Sequence, residues 1–497
     1  MKSKDEFFKA MENLGLALTY DDVRLKSGHS ETDPKDVSIK SYFSRNIPLL
    51  TPIVSAAMDT VTESKMAIAM AKLGGLGIIH KAMTPEDQAS QVRKVKLHLN
   101  ALVEKPITVN ENETIESIRE RQGEKDYQFH SFPVVNDEGK FVGLITRTDF
   151  DFCPDPKCLA KDAMNPVSSL THAPKGTTIE EAKKIMTEKR KRVLPLIDEN
   201  GILSGMYVFS DIKRLSEQTE TSTTFNMDKE GHLLVGAAVG TGPHEIERAK
   251  LLVEAGADVL VIDTAHGDSK NVYDALQNLK TLFPSLDIVV GNVSEGESAK
   301  RLVEAGADGV KVGQGPGSIC TTRIVAGIGS PQVTAVYNCA KAIAGSGVPI
   351  CADGGIRNSG DITIAIGAGA SSVMLGRNLA GSLETPGEVR ETVRGKVKMY
   401  RGMGSMGAMQ ASKAARERYR QGELSKDKLV PEGVESVVPY QGPVGDIIFR
   451  QIGGLRSGMG YVGAANIKEL QEKANFHRLS SAGLAESHPH DITVVEE

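Results

Sequence analysis

The segment AKLLVEAGADVLVID, Ala249 to Asp263, returns fifty residues later as AKRLVEAGADGVKVG, Ala299 to Gly313. ITIAIGAGASSVMLG (Ile362 to Gly376) is a looser copy and MAIAMAKLGGLGIIH (Met66 to His80) a degenerate fourth. Each of the first three copies reads as a helix, a tight turn at Gly256, Gly306 or Gly369, and a short buried β-branched strand. Such alternation confines a chain to parallel strands joined by crossover helices. Candidate strands fall near Leu50 to Ser55, Gly77 to Ile79, Leu233 to Ala238, Val259 to Ile262, Ile288 to Val290, Gly309 to Val312, Pro349 to Ala352 and Ser372 to Leu375. An open doubly wound sheet needs a glycine fingerprint after its first strand, and none is present. The expectation is therefore an α/β fold, a (β/α)8 TIM barrel, with the small and polar segments after each strand gathered on one reactive face.

About 150 residues separate the second candidate strand from the third, and a second repeat fills the gap. FPVVNDEGKFVGLITRTD (Phe132 to Asp149) matches LPLIDENGILSGMYVFSD (Leu194 to Asp211) at an offset of 62, each copy preceded by a helix start, ETIES or TTIEE. Two strands around an Asx/Glu-Gly turn, then an aspartate opening a helix, make a compact module occurring twice. The pair resembles CBS domains, which implies a site for adenine or guanine nucleotides such as ATP or GTP, with Asp149 and Asp211 as contacts to ribose; a structural spacer is the alternative. The expected organisation is residues 1–98 for the first part of the barrel, 99–157 and 158–218 for the two modules, and 219–497 for the remainder.

With 25% charged residues and a formal net charge of −5, the 497-residue chain is no polybasic nucleic-acid or membrane binder. Its start, MKSKDEFFKA, lacks the apolar core of a signal peptide, and no apolar run is long enough to span a bilayer. The expectation is a cytoplasmic protein acting on small molecules. Five cysteines (Cys153, Cys158, Cys320, Cys339, Cys351), none in a CxxC pair, are expected to be reduced.

The loop after the sixth strand, VGQGPGSICTTR (Val312 to Arg323), holds Cys320 among three glycines and a proline. Most free cysteines are small buried hydrophobes. This one stands at the reactive end of a strand, followed by Thr321, Thr322 and Arg323, groups that favour a thiolate, so a nucleophile is the competing reading. ADGGIR after strand seven and MLGRN after strand eight occupy the places where such barrels bind phosphate. A nucleoside monophosphate fits that set, with phosphate near Gly355, Gly376 and Arg377, ribose at Asp353, and the base toward Cys320.

GPGSICTTR, ADGGI, YRGMGS (Tyr400 to Ser405), SAAMDTVTE (Ser55 to Glu63), the paired insert and ESHPHD near the C-terminus together resemble the inosine 5′-monophosphate dehydrogenase / GMP reductase family, in order along nearly the whole chain. The resemblance to its dehydrogenase branch implies NAD-dependent oxidation of IMP to XMP through a thioimidate on Cys320, a step of guanine nucleotide synthesis. It implies Arg418 and Tyr419, in KAARERYRQGE, as the base on a mobile flap, and Thr322 and Glu432 as an auxiliary proton relay. Ser318, Asp353, Gly354, Gly355, Gly376, Arg377, Tyr400, Arg401, Gly402, Met403, Gly404 and Glu432 match the substrate pocket. Asp263, Asn292, Gly313, Gln314 and Gly315 match the NAD side. Carbonyls of Gly315, Gly317 and Cys320 match a potassium site completed by Glu486, Ser487 and His488 of a neighbouring copy, which implies a homotetramer or an octamer. Without the resemblance, the run around Arg418 reads as a solvated helix face, and His488 with His490 as an incomplete zinc pair. GMP reductase, a flavin-dependent oxidase and a nucleotide sensor with an inactive barrel are the rival readings; Arg418, Tyr419 and the insert favour the dehydrogenase over GMP reductase.

Overall fold

The computed structural model describes residues 3–99, 102–103, 106–124, 129, 131–153, 155, 157–213, 224–393, 395–422, 424–425 and 427–492. They divide into two compact units, Met1–Lys96 with Thr224–Glu497, and Leu97–Thr223.

In the first unit eight parallel strands close into a barrel in chain order: β1 (Ile53–Ser55), β2 (Leu76–Ile79), β3 (Gly236–Val239), β4 (Val259–Asp263), β5 (Asp287–Val293), β6 (Gly309–Val312), β7 (Ile350–Asp353) and β8 (Ser372–Leu375). Alternate residues point inward, so Val54, Leu76, Ile78, Ala238, Val259, Val261, Val289, Cys351 and Met374 fill one continuous core. The repeated helix-to-strand turn rests on backbone that only glycine adopts without strain: Gly256, Gly306 and Gly369 sit at φ of 93°, 99° and 127°. All strand residues are buried except Asp353, which ends β7 at the mouth of the barrel.

The third strand begins three residues later than its apolar run suggests. Leu233 pairs with Met227 and the Leu234 amide donates to Asn226 O at 3.0 Å, so this stretch folds back on 226–227 before the barrel starts.

The second unit contains two four-stranded sheets. One holds Val109–Asn110, Phe132–Val135, Phe141–Ile145 and Asn165–Pro166; the other holds Leu102–Val103, Ala173–Pro174, Val193–Ile197 and Leu203–Val208. The matching hairpins are the halves of the sequence repeat, each packed on a helix, Ile115–Glu124 or Ile179–Glu188. The hydrogen bonding does not follow a division between residues 157 and 158. Leu102 pairs with Tyr207 of the second hairpin, while Asn165 pairs with Leu144 of the first. The outer limits also move, from 99 and 218 to Leu97 and Thr223.

Among the described residues no helix is long and apolar enough to cross a membrane, and the five cysteines are free thiols.

Candidate active site

The loop after β6 is fastened to residues 432–434, far downstream in the chain. Thr321 N donates to Glu432 O at 2.9 Å and Val434 N to Ile319 O at 2.9 Å, on either side of a bridge between Cys320 and Gly433. This pairing brings the reactive side chains into line: Cys320 Sγ lies 3.2 Å from Thr322 Oγ1, which donates to Glu432 Oε2 at 2.7 Å. Arg323 stabilises the loop itself, its guanidinium donating to Gln314 O and Ser330 O. The thiol is part-exposed and opens onto a cleft of about 400 Å³.

The opposite wall is built from the ends of β7 and β8. Gly354 and Gly355 adopt φ of 94° and 81°, and a Cβ on Gly354 would stand 2.9 Å from Pro316 Cγ. Gly376 starts the short helix Arg377–Ala380 and leaves room for Tyr400, whose phenol would lie 3.0 Å from an added Cβ. Burial pushes the Tyr400 phenol well above its ordinary range, against the opposing pull of a hydrogen bond with Ser318. Ser318, Gly376, Arg377, Tyr400, Gly402 and Met403 all line the cleft.

The floor is a charged knot. Lys311, in the middle of β6 and 1% exposed, directs its ammonium to Asp353 Oδ2 at 2.6 Å, to Asp263 Oδ1 at 3.1 Å and to Asn292 Oδ1. Asn292 in turn donates to Asp353 Oδ2 at 2.9 Å and to Gly313 O at 2.7 Å. Gln314 spans from Ser294 Oγ, 2.8 Å away, to Ala265 O at 3.2 Å and His266 Nδ1 at 3.1 Å.

The flap arises between two strands of a small sheet, Gly395–Arg401 and Glu435–Pro439, and carries the helix Lys413–Arg418. Here it is folded over the cleft: Arg418 pairs with Asp263 Oδ2, and its buried Nε has no acceptor among the described residues. Glu417 beside it meets His244 Nε2 at 3.1 Å. The Tyr419 phenol is pushed up by burial and by the charges of Cys320 and Glu432, with Arg418 opposing, which keeps it neutral at neutral pH. Tyr419 fits only because Gly404 has no side chain; a Cβ there would stand 2.5 Å from the ring.

Several expected residues fall elsewhere. Arg401 does not line the cleft, because its guanidinium is paired with Asp59 of the loop after β1. Gly404 is likewise behind the wall, seating Tyr419. Glu486, Ser487 and His488 are exposed at the C-terminal helix, where Ser487 Oγ donates to Gly483 O and His488 Nδ1 lies 3.0 Å from Leu484 O. In the other unit, Asp149 Oδ2 accepts from Thr146 N, Thr146 Oγ1 and Asn165 Nδ2, at 2.7, 2.7 and 2.8 Å, so one of its oxygens caps its own helix. Asp211 lies in the helical residues 209–213.

Two lysines were absent from the expected set. Lys311 interrupts the apolar run GVKV, and a charge inside a strand buried on both faces was the available signal. Lys81, two residues beyond β2, is buried without a hydrogen-bonded partner among the described residues; desolvation brings its ammonium down to about 8, and Glu245 opposes that shift.

The sequence profile described as IMP dehydrogenase / GMP reductase domain matches residues 17–490. The chain belongs to that family. It is 47% identical to an inosine-5′-monophosphate dehydrogenase of Halalkalibacterium halodurans, covering 97% of each chain, and 46% identical to one of Aquifex aeolicus, covering 97% of this chain and 96% of the other. Among solved structures it resembles a cysteine-to-alanine variant of GMP reductase from Trypanosoma brucei in complex with guanosine 5′-monophosphate. The TM-score there is 0.86 at 41% identity, over 97% of this chain and all of the other. Coverage that complete takes in the inserted unit, so the insert does not separate the two activities as expected. The chain is an oxidoreductase on a (β/α)8 barrel.

Proposed function

We propose that the cleft oxidises IMP to XMP with NAD, in two steps that share Cys320. The carrying observation is the relay from Cys320 through Thr322 to Glu432, facing Arg418 and Tyr419 across one cleft. The dehydrogenase assignment follows the inosine-5′-monophosphate dehydrogenases that match this chain from end to end.

In the first step the Cys320 sulfur bonds to carbon 2 of the hypoxanthine ring. The substrate phosphate is held by Ser318, Gly355, Gly376, Arg377 and Tyr400, and its ribose by the unused Oδ1 of Asp353. NAD, when bound, accepts the hydride that leaves carbon 2, with Asp263, Asn292 and the Gly313–Gly315 backbone on its side of the cleft. In the second step water adds to the same carbon and the carbon–sulfur bond breaks, returning the thiol and releasing XMP. Arg418 Nε is a buried donor without a protein acceptor, suited to orienting that water, while Asp263 holds the guanidinium in place. An arginine acting as base requires proton transfer coupled to a neighbour, and the neutral phenol of Tyr419 stands beside it. Thr322 and Glu432 offer a second path for the proton.

Carbonyl oxygens of Gly315 and Cys320 accept no hydrogen bond among the described residues, and that of Gly317 accepts only from Cys320 N, at 3.0 Å. Such carbonyls suit potassium, which would stiffen the loop that carries Cys320; Glu486, Ser487 and His488 would come from a neighbouring copy in a homotetramer or octamer. ATP or GTP at the paired modules is a further part of the reading.

GMP reduction with NADPH is the second reading, favoured by the solved GMP reductases of the same fold. One assay separates them. The purified chain with IMP, NAD and potassium is expected to form NADH; consumption of NADPH with GMP, and no NADH from IMP, would overturn the assignment.

A further inference from the structure

We infer that Lys311 is the positioning residue that sets both ribose-binding carboxylates at once, so that a single ammonium governs the affinity of substrate and of cofactor. An ammonium has three protons. Those of Lys311 face three acceptors, Asp353 Oδ2 at 2.6 Å, Asp263 Oδ1 at 3.1 Å and Asn292 Oδ1, which leaves none for a ligand. Lys311 therefore acts through its partners.

What it does to them is geometric. Each carboxylate gives Lys311 one oxygen and keeps the other for something else. The Asp353 bonds from Lys311 and Asn292 both land on Oδ2, so Oδ1 is left for the cleft. Asp263 gives Oδ1 to Lys311, and its Oδ2 is held by Arg418 while the flap is folded over. The two lysine-bound oxygens are at most about 6 Å apart, because both touch the same nitrogen. Two carboxylates so close, one buried and one at the rim of the cleft, repel each other unless a cation lies between them. Without it, one must turn away or take up a proton, and either change removes a ribose acceptor.

The inference rests on Asp353 and Asp263 being the two ribose acceptors, and its test separates its own failure from failure of that reading. Steady-state kinetics with IMP and NAD are compared for the wild type, Lys311→Met, Lys311→Arg and Lys96→Met, each with its melting temperature. Lys96 is the control, a part-buried lysine that also bridges two aspartates, Asp228 and Asp258, both at 2.8 Å. Lys311→Met is expected to raise KM for IMP and for NAD by about tenfold each, the scale of one lost charged hydrogen bond. Its kcat falls less, and Lys311→Arg recovers part of both KM values. Lys96→Met is expected to lower the melting temperature and leave both KM values unchanged. An unfolded Lys311→Met shifts the decision to Lys311→Arg, for which both KM values should lie above wild type and move together. Wild-type KM values for both ligands in a folded Lys311→Met protein, or a rise in only one, would overturn the inference. A wild type that makes no NADH from IMP would instead overturn the functional reading beneath it.

Discussion

Strand β4 is preceded by Asp258 and ends in Asp263, each aspartate is held by a lysine, and the two ends are built differently. At the start, Lys96 Nζ sits 2.8 and 3.0 Å from the two oxygens of Asp258 and 2.8 Å from Asp228 Oδ2. Val235 N adds a bond to Asp258 Oδ2, Glu230 N and His232 N bond to Asp228 Oδ1, and His232 Nδ1 lies 3.3 Å from Asp228 Oδ2. All four carboxylate oxygens are consumed by the chain. At the far end, Lys311 binds one oxygen each of Asp263 and Asp353; of the remaining two, that of Asp263 is paired with Arg418 and that of Asp353 faces the cleft. Part-buried ion pairs close one end of the strand completely; at the other, Oδ1 of Asp353 is left without a partner among the described residues.

The sharpest break between the two ends is expected from Cys320→Ala. It should cut NADH formation by at least about a thousandfold, since the nucleophile itself is lost, while the melting temperature stays near wild type because the thiol is part-exposed. Arg418→Gln comes next, with a fall in turnover of about 10²- to 10⁴-fold, the range of a general base. Rapid-mixing kinetics should still show one equivalent of NADH per site, because only the second step is blocked; loss of that first burst would move Arg418 into the hydride step. Lys96→Met acts on the closed end alone and should destabilise by about 2 kcal/mol, the cost of leaving two part-buried carboxylates without their cation. Denaturant titration measures this, and a change in KM comparable to that of Lys311→Met would erase the contrast.

The smallest effect is a pH dependence confined to the closed end. Burial raises Asp228, but its bonds to His232 and Lys96 outweigh that and hold it well below the usual carboxylate range, while Asp228 holds the His232 imidazole above its usual value. A depressed carboxylate stabilises above its unfolded value, about 3.9, and that contribution fades as pH falls toward the folded value. A raised histidine stabilises fully below about 6.5, and that contribution is lost as pH rises through its folded value. Melting temperature should therefore decline on both sides of roughly pH 4 to 6.5, and His232→Gln should remove the alkaline decline and weaken the acid one, since His232 also holds Asp228 down. An unchanged alkaline slope in that variant would assign it to another group.

Much of the molecule could be read from its repeats. The AGAD copies each yielded a strand of the barrel, because a glycine at positive φ between helix and strand leaves a mark in sequence. The Cys320 loop was legible for a similar reason, its glycines and threonine being contiguous. What escaped was made by distant partners. Arg401 is neutralised by Asp59, 342 residues away, and nothing near either residue signals the pair. Leu102–Val103 and Asn165–Pro166 are two-residue strands that cross between modules, too short for any periodicity. Asp149 is the opposite case, since its partner is local: Thr146 three residues earlier forms a capping box with it, visible in TRTD. Lys311 shows the same limit, since a lysine in a buried strand signals a partner without saying which carboxylates it will bridge.

The central claim is that oxidation passes through a bond between Cys320 and the purine. It is tested most directly by quenching the protein in acid during turnover of IMP and NAD, then measuring its mass and that of the peptide carrying Cys320. The account predicts a mass gain matching one xanthosine monophosphate bound as thioimidate, located on Cys320, present in Arg418→Gln at higher occupancy and missing in Cys320→Ala. NADH formed at the wild-type rate with no adduct on Cys320 in either protein would contradict it.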